Sequence, residues 1–403
     1  MQKKIIHIKP QSKSKLASLD ILKGIAIIMI IIVHNRHFLM KNMDGLRQLI
    51  NFGQMGCQIF FLVSGTALCY SWTSQLKKSK EKNIFAQYIT FIKNRYLRLA
   101  PGFLIILFIN LLLNIILMDI CKYSPGYVMS RSVKGILLNV FFLHGLSKEF
   151  INEVFPGGWY IGTAFILYII FPFLFSICKM VYERFKALVL MIPFALLIFD
   201  RIFNGIVSSK TSFELYPDNN SFMYYLFTNH LPGFCLGIVM YFIISSPKFD
   251  TLFCNLAVRL LTTFFAILTG LFSVKMYLTN ISVNKHNYAF VYIPFIFSLC
   301  IFFAALVMIS LERSNKLKIN NKSNLFNLII SFISDCGKKS YGMYLTHSFV
   351  SWYGIKAVIT EINKLNYDYN DLLLYILFLI PSVFIIYVMG TYMELFLNKI
   401  RKS

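Results

Sequence analysis

The sequence predicts an all-α integral membrane protein, a bundle of about ten transmembrane helices with both termini cytoplasmic. Hydrophobic residues make up 57% of the chain and charged residues 14%, against about 25% charged in soluble domains. The apolar residues fall in long runs of membrane-spanning length. Roughly two-thirds of the 40 Lys and Arg residues lie in segments that share one face of the membrane if the chain crosses ten times, as the positive-inside rule requires. The net charge of +23 therefore reads as orientation in a membrane. The basic residues are spread through connections, not gathered in a nucleic-acid reading module, and no nucleic-acid partner is expected.

Residues 1–17 form a basic cytoplasmic segment without a small-residue cleavage site, so the first apolar run is a retained span. Spans are expected at 18–38, 49–72, 99–119, 158–179, 187–203, 222–245, 255–278, 288–311, 340–358 and 372–397, giving a membrane domain over 18–397. A cytoplasmic loop, 73–98, an outer excursion, 120–157, and a second cytoplasmic loop, 312–339, interrupt it, and a basic tail, 398–403, closes the chain. The apolar piece 135–143 is the ambiguous one. If it crossed, the basic turn 179–186 would move outside, so it is kept within the excursion. Eight scattered cysteines without a CxxC pair read as small buried hydrophobes, and no metal site is expected.

The first span, LDILKGIAIIMIIIVHNRH (19–37), has an unusual face. With about 100° per residue, the eleven steps from Lys23 to His34 return the side chain to within about 20° of its starting direction, about 16 Å along the axis. Asp20 and His37 fall on the same stripe. Ionisable groups in a membrane helix are costly and mark functional positions by default. The plainer alternative is that Asp20 and Lys23 end the span at the cytoplasm while His34 is a satisfied interior histidine. In 73–98, Arg95 and Arg98 share a helical face where the chain re-enters the membrane. They either snorkel to anionic headgroups or clamp a phosphate. The stretch NFGQMGCQIFFLVSGTALCYSW carries Ser64 among glycines that permit close helix approach. Trp159 and Tyr160, after the break at Pro156–Gly158, are interfacial anchors first and site residues second. His230 stands at the outer entrance of a span. In SYGMYLTHSFVSWYG, Tyr341, Tyr344 and His347 make one polar helical face.

Four of these stretches resemble the acyltransferase family three, multi-span bacterial O-acyltransferases. LDILKGIA followed by His34 is similar to that family's LDGLRGIA first-span signature, with Lys23 and His34 matching its Arg/Lys-x10-His motif. GQMGCQIFFLVSG resembles its FFxLSGF pattern through Ser64 and Gly65, with Thr66 where an aromatic is usual. RYLRLAP matches Arg-x-x-Arg through Arg95 and Arg98, and SYGMYLTH resembles SYxxYLxH. The order runs over most of the chain. Ala164 stands where the family's WSLxxEwqFY pattern usually has Glu, which removes a carboxylate, and no C-terminal SGNH domain is expected.

The resemblance implies an acyltransferase of groups other than aminoacyl, an O-acetyltransferase by preference, in the bacterial plasma (inner) membrane. Acetyl-CoA or another acyl-CoA would be the donor, and a hydroxyl of a cell-surface glycan or lipid-linked sugar the acceptor, with membrane lipids as the other partner. His34 would be the base, Ser64 and Tyr341 donors to the oxyanion, and Lys23, Arg95 and Arg98 the holders of the coenzyme A phosphates. Asp20, His347 and Trp159 would support, His347 as a structural residue before a second proton carrier. A transporter or flippase for a lipid-linked sugar or organic anion is the alternative, and it predicts an inverted repeat with broken helices, which the sequence does not display.

Overall fold

The computed structural model describes residues 16–36, 44–79, 83–120, 130–154, 157–211, 222–282, 289–314, 324–355, 358–359, 362, 364 and 370–401. His37 lies outside them. The described residues are helices and their connections, with no strand among them.

Among the described residues, eight helical runs are long and apolar enough to cross a membrane. They are built from α1 (Ala17–His34), α3 (Gly56–Lys78), α4 (Ile84–Ile115), α6 (Trp159–Phe185), α7 (Ile192–Thr211), α9 (Phe227–Ile244), α11 (Leu256–Ser282), α12 (Ala289–Arg313) and α15 (Asp371–Ile400). Short helices α2 (Asp44–Asn51), α5 (Val133–Val140), α8 (Phe222–Tyr225), α10 (Lys248–Cys254), α13 (Leu325–Lys338) and α14 (Ser340–Ser348) fill the rest.

Two local events account for eight such runs where ten spans are expected. The spans expected at 158–179 and 187–203 form one apolar run, Trp159–Ile206, bent where a tight turn of helix, Lys186–Met191, separates α6 from α7. The span expected at 340–358 begins as α14 and widens into a π-turn, Phe349–Ile355, too short to count alone. A third difference lies in 312–339, expected as a loop. Its last part is helix α13, started by Asn324, whose side chain accepts from the Asn327 N–H. The Asn- and Lys-rich composition just upstream masks its apolar periodicity.

α9 and α3 form the centre: in the apolar 18-residue stretch of each run, 89% of residues are buried within Phe222–Ile244, against 11% within Leu256–Thr279 and 17% within Leu372–Ile400. The outer faces of α11 and α15 present Leu260, Leu261, Phe264, Leu377, Ile380 and Phe384, as lipid contact requires. Prolines 101, 172, 232, 294 and 381 sit inside helices. Membrane helices tolerate them because neighbours re-satisfy the freed carbonyls.

Glycines fix the two central crossings. A Cβ on Gly65 would lie 2.3 Å from the Phe234 carbonyl oxygen, and one on Gly237 2.0 Å from that of Leu62, so α3 and α9 touch backbone to backbone. Thr66 Oγ1 donates to the Gly237 carbonyl across this contact at 2.7 Å. On α1, a Cβ at Gly24 would meet the Ile333 carbonyl oxygen at 1.9 Å, and one at Gly337 the Asp20 carbonyl oxygen at 1.7 Å. α13 therefore runs antiparallel along the first half of α1. Every cysteine among the described residues is free, and the Sγ atoms of Cys178 and Cys235 stand 3.9 Å apart, well beyond a disulfide.

Candidate active site

The start of α1 has four backbone donors without helical partners, and Leu16 offers no side-chain cap. The Glu312 carboxylate, arriving from the end of α12, accepts from the Ala17 and Ser18 N–H groups at 2.8 and 2.9 Å and from the Ser18 hydroxyl. A carboxylate here also complements the helix dipole. One turn on, Lys23 Nζ meets Asp20 Oδ1 at 2.5 Å, the carboxylate nearly buried and the ammonium partly exposed. The first-span pair is thus held at a fixed depth.

The other end of α1 carries the chemistry. The His34 and His347 rings lie 5.0 Å apart, centroid to centroid. His347 is buried and its Nδ1 contacts the Tyr344 carbonyl. A carbonyl only accepts, so Nδ1 carries the proton and Nε2 keeps the lone pair. The Tyr344 ring is 5.0 Å from His347, and its hydroxyl donates to the Gly157 carbonyl at 2.6 Å. Gly157 has φ +81°, a left-handed conformation that suits glycine. Its N–H donates to Asn152 Oδ1 at 2.9 Å, and the next carbonyl, Gly158, accepts from buried His144 Nε2 at 3.0 Å. The turn before α6 is held from three sides, and it aims Trp159 and Tyr160 inward.

From Tyr344 the rings continue. Tyr160 lies 5.1 Å from Tyr344 and 4.8 Å from Phe61, with Ser64 near its hydroxyl. His230 stacks on Phe61 at 4.6 Å, its Nδ1 facing the Gln58 amide at 3.0 Å. Trp159 stands 5.5 Å from His230 and stacks on Tyr225 at 4.6 Å. One cluster of packed rings thus joins α1, α3, α6, α9 and α14.

The structure brings His34, His347, Ser64 and Trp159 to this cluster. Tyr341 stands elsewhere. Its hydroxyl donates to the Leu99 carbonyl at 2.5 Å, one residue past Arg98, at the Ala17 end of the bundle. It lies about 9 Å along the helix axis from His347, and an oxyanion donor beside His34 has to come from another residue. Arg95 donates from Nη2 to Ser71 Oγ at 2.6 Å and lies over Phe91, half-buried. Arg98 is exposed, and its carbonyl accepts from Arg401 at 3.1 Å. Beside α1, Lys339 Nζ reaches Asp335 Oδ2 at 2.7 Å and the Tyr387 hydroxyl at 2.6 Å. Partial burial pushes the Asp335 carboxyl up, but the hydrogen bonds from Lys339 and Tyr387 outweigh it and hold it below the usual range.

Sequence reasoning missed His144, which braces the turn before α6, and it noted Tyr160, Tyr344 and His230 without bringing them into one cluster. Asp200 and Arg201 pair within α7, with Asn204 Nδ2 donating to Asp200 at 2.9 Å. An acid and a base inside the apolar run FALLIFDRIFNG are a sequence signal in themselves. Ala164 is buried.

A multi-span helical protein in which half-buried His34 meets buried His347 beside a cluster of packed rings carries groups suited to acid–base chemistry. The family of acyltransferase domains, type three, matches residues 16–391, nearly the whole chain, and the chain belongs to that family: it is a multi-pass membrane acyltransferase. No curated protein and no solved structure gives a significant match.

Proposed function

We propose that this membrane acyltransferase moves an acyl group, most simply acetyl, from acyl-coenzyme A to a hydroxyl of a cell-surface glycan or its lipid-linked precursor in the bacterial plasma membrane. The observation that carries this reading is the pairing of His34 with His347 at 5.0 Å. An alcohol attacks poorly until its proton is being removed, and neutral imidazole suits that task. His34 takes the proton as the acceptor oxygen attacks the thioester carbonyl. The C–O bond forms, the C–S bond breaks, and the proton passes to the departing thiolate. His347 offers its Nε2 lone pair to the protonated His34. The Ser64 and Tyr160 hydroxyls are the donors for the oxyanion, in the role first expected of Tyr341. Lys23, Arg95 and Arg98, toward the other end of the bundle, hold the coenzyme A phosphates at the cytoplasmic face, with Asp20 orienting Lys23. Trp159 lines the acceptor's side.

The test is transfer of label from radiolabelled acetyl-coenzyme A to total glycolipid of the source cell by purified wild type and His34→Ala. Loss of a general base is expected to lower the rate by about a hundredfold or more. An inserted, monodisperse His34→Ala protein that transfers label like wild type would falsify the assignment.

A further inference from the structure

The junction between the His34 end of α1 and the end of α14 holds two polar groups that the fold leaves unused. Asn35 follows His34 and is fully buried. The Ser351 hydroxyl, from the π-turn after α14, donates to Asn35 Oδ1 at 3.0 Å. The amide nitrogen has no hydrogen-bond partner among the described residues. Ser348, next to His347, is buried as well, and its hydroxyl is likewise without one. A hydroxyl in an apolar helix ordinarily bonds the carbonyl four residues back, as Thr346 does with Gly342 at 3.0 Å. For Ser348 that carbonyl belongs to Tyr344, and His347 Nδ1 contacts it instead. Each histidine of the 5.0 Å pair is thus followed by a residue with an orphaned polar atom. Ser351, three residues past Ser348, ties Asn35 to the same turn. A buried donor without a partner costs stability, and nearly all such groups in folded proteins are satisfied. A bound molecule is what satisfies these two.

We propose that Asn35 Nδ2 and the Ser348 hydroxyl bind the acyl acceptor through an uncharged oxygen next to the one that is acylated. The acceptor then presents at least two oxygens side by side, as a sugar does. An amide N–H donates, and a serine hydroxyl both donates and accepts, which fits a hydroxyl or an ether oxygen. The Ser351 hydroxyl on Oδ1 fixes the rotation of the amide and polarises its N–H. His34 meets the neighbouring hydroxyl. A molecule with one oxygen leaves the amide unpaired, which is how a buried donor discriminates between substrates. The proposal rests on the acyl-transfer reading: Asn35 lies beyond His34 as seen from Lys23, the side from which that reading brings the acceptor.

The experiment measures transfer from radiolabelled acetyl-coenzyme A to total glycolipid of the source cell by the full-length protein in nanodiscs, with each substrate varied in turn. Asn35→Leu keeps the volume of the side chain and removes the donor. Its KM for glycolipid is expected to rise about tenfold, the size of one hydrogen bond made only with the acceptor bound. Its KM for acetyl-coenzyme A is expected to stay within about twofold of wild type. Ser348→Ala is expected to raise the glycolipid KM about threefold. The double variant Asn35→Leu/Ser351→Ala removes both partners of the printed-out pair of polar groups at once. It is expected to melt no lower than wild type and to show the same rise, which separates lost recognition from lost fold. An unchanged glycolipid KM in the folded variants, or KM values for both substrates that rise together, overturns the proposal. A double variant that melts below wild type makes the amide a structural group and overturns it as well. Wild type that binds no coenzyme A and transfers no label brings down the acyl-coenzyme A reading and the proposal together. Wild-type transfer beside an unchanged glycolipid KM in the variants brings down the proposal alone.

Discussion

Tyr341 and Tyr344 stand three residues apart on α14, and the structure gives them opposite neighbours. Each hydroxyl satisfies a backbone carbonyl, Leu99 for one and Gly157 for the other, so removing either costs about 1 kcal/mol of stability. Their effects on the reaction differ. Tyr344→Phe frees the turn that aims Tyr160 and loosens the ring against His347. It is expected to lower kcat about tenfold, equivalent to about 1.4 kcal/mol. Tyr341→Phe is expected to stay within about twofold of wild type, because its contact lies far from His34. Steady-state transfer assays on the two variants decide it, and an equal loss from both would remove the distinction between the ends of α14. The sequence put both tyrosines on one polar face, since a three-residue spacing reports direction around a helix. It carries no information on which end of that face meets a partner. The His34 stripe was legible for the same reason: direction was enough. His347 was legible as a position but not as a partner, because the 5.0 Å contact joins residues from the two ends of the chain.

At the scale of elements, apolar runs located most helices, and the misplaced ones fail for identifiable reasons. α13 hides behind an Asn- and Lys-rich lead, and α14 is short because a π-turn follows it. The glycine of LKGIA was legible as a motif letter only. Its physical task is the approach of α13 to α1, where a Cβ would collide with the Ile333 carbonyl. Gly24→Ala is expected to destabilise the protein by about 1–3 kcal/mol, the usual cost of overpacking, and to displace α1 along with Lys23 and His34. Gly205→Ala, on α7 with open space around its Cβ position, is the control. It replaces glycine within a helix and is expected to be neutral or stabilising by up to about 1 kcal/mol. Thermal unfolding of both variants in detergent, followed by size-exclusion chromatography, measures the contrast. A Gly24→Ala protein as stable as wild type would mean that the two helices are not held in backbone contact.

The whole molecule is inverted relative to a soluble protein: its central helices are the most buried, and its large exposed apolar side chains face outward on α11 and α15. Hydropathy made that architecture legible, whereas the cluster of rings around His347 needed the packing of five helices. Orientation links the two. In the orientation expected from the charge distribution, the turn between α10 and α11 lies on the cytoplasmic side with Lys23 and the arginines, and His34 toward the outside. Cys254 is exposed in that turn, whereas Cys57, Cys69, Cys178, Cys235 and Cys336 are buried. It is therefore a native reporter. With Cys121 changed to Ser, a membrane-impermeant maleimide is expected to leave the protein unmodified in intact cells and to label it in inverted vesicles. Labelling from outside would require one crossing more or fewer before α10. If that change lay ahead of α1, His34 would meet the cytoplasm and Arg95 the exterior, opposite to what a cytoplasmic thioester donor and an external acceptor require. If it lay between α1 and α10, as in a run through α6 and α7 that crosses only once, the first span would keep its orientation and the chemistry would stand. Repeating the labelling with a single cysteine in place of Ser79, where α3 has just ended, separates the two cases, because only the first moves that residue outside.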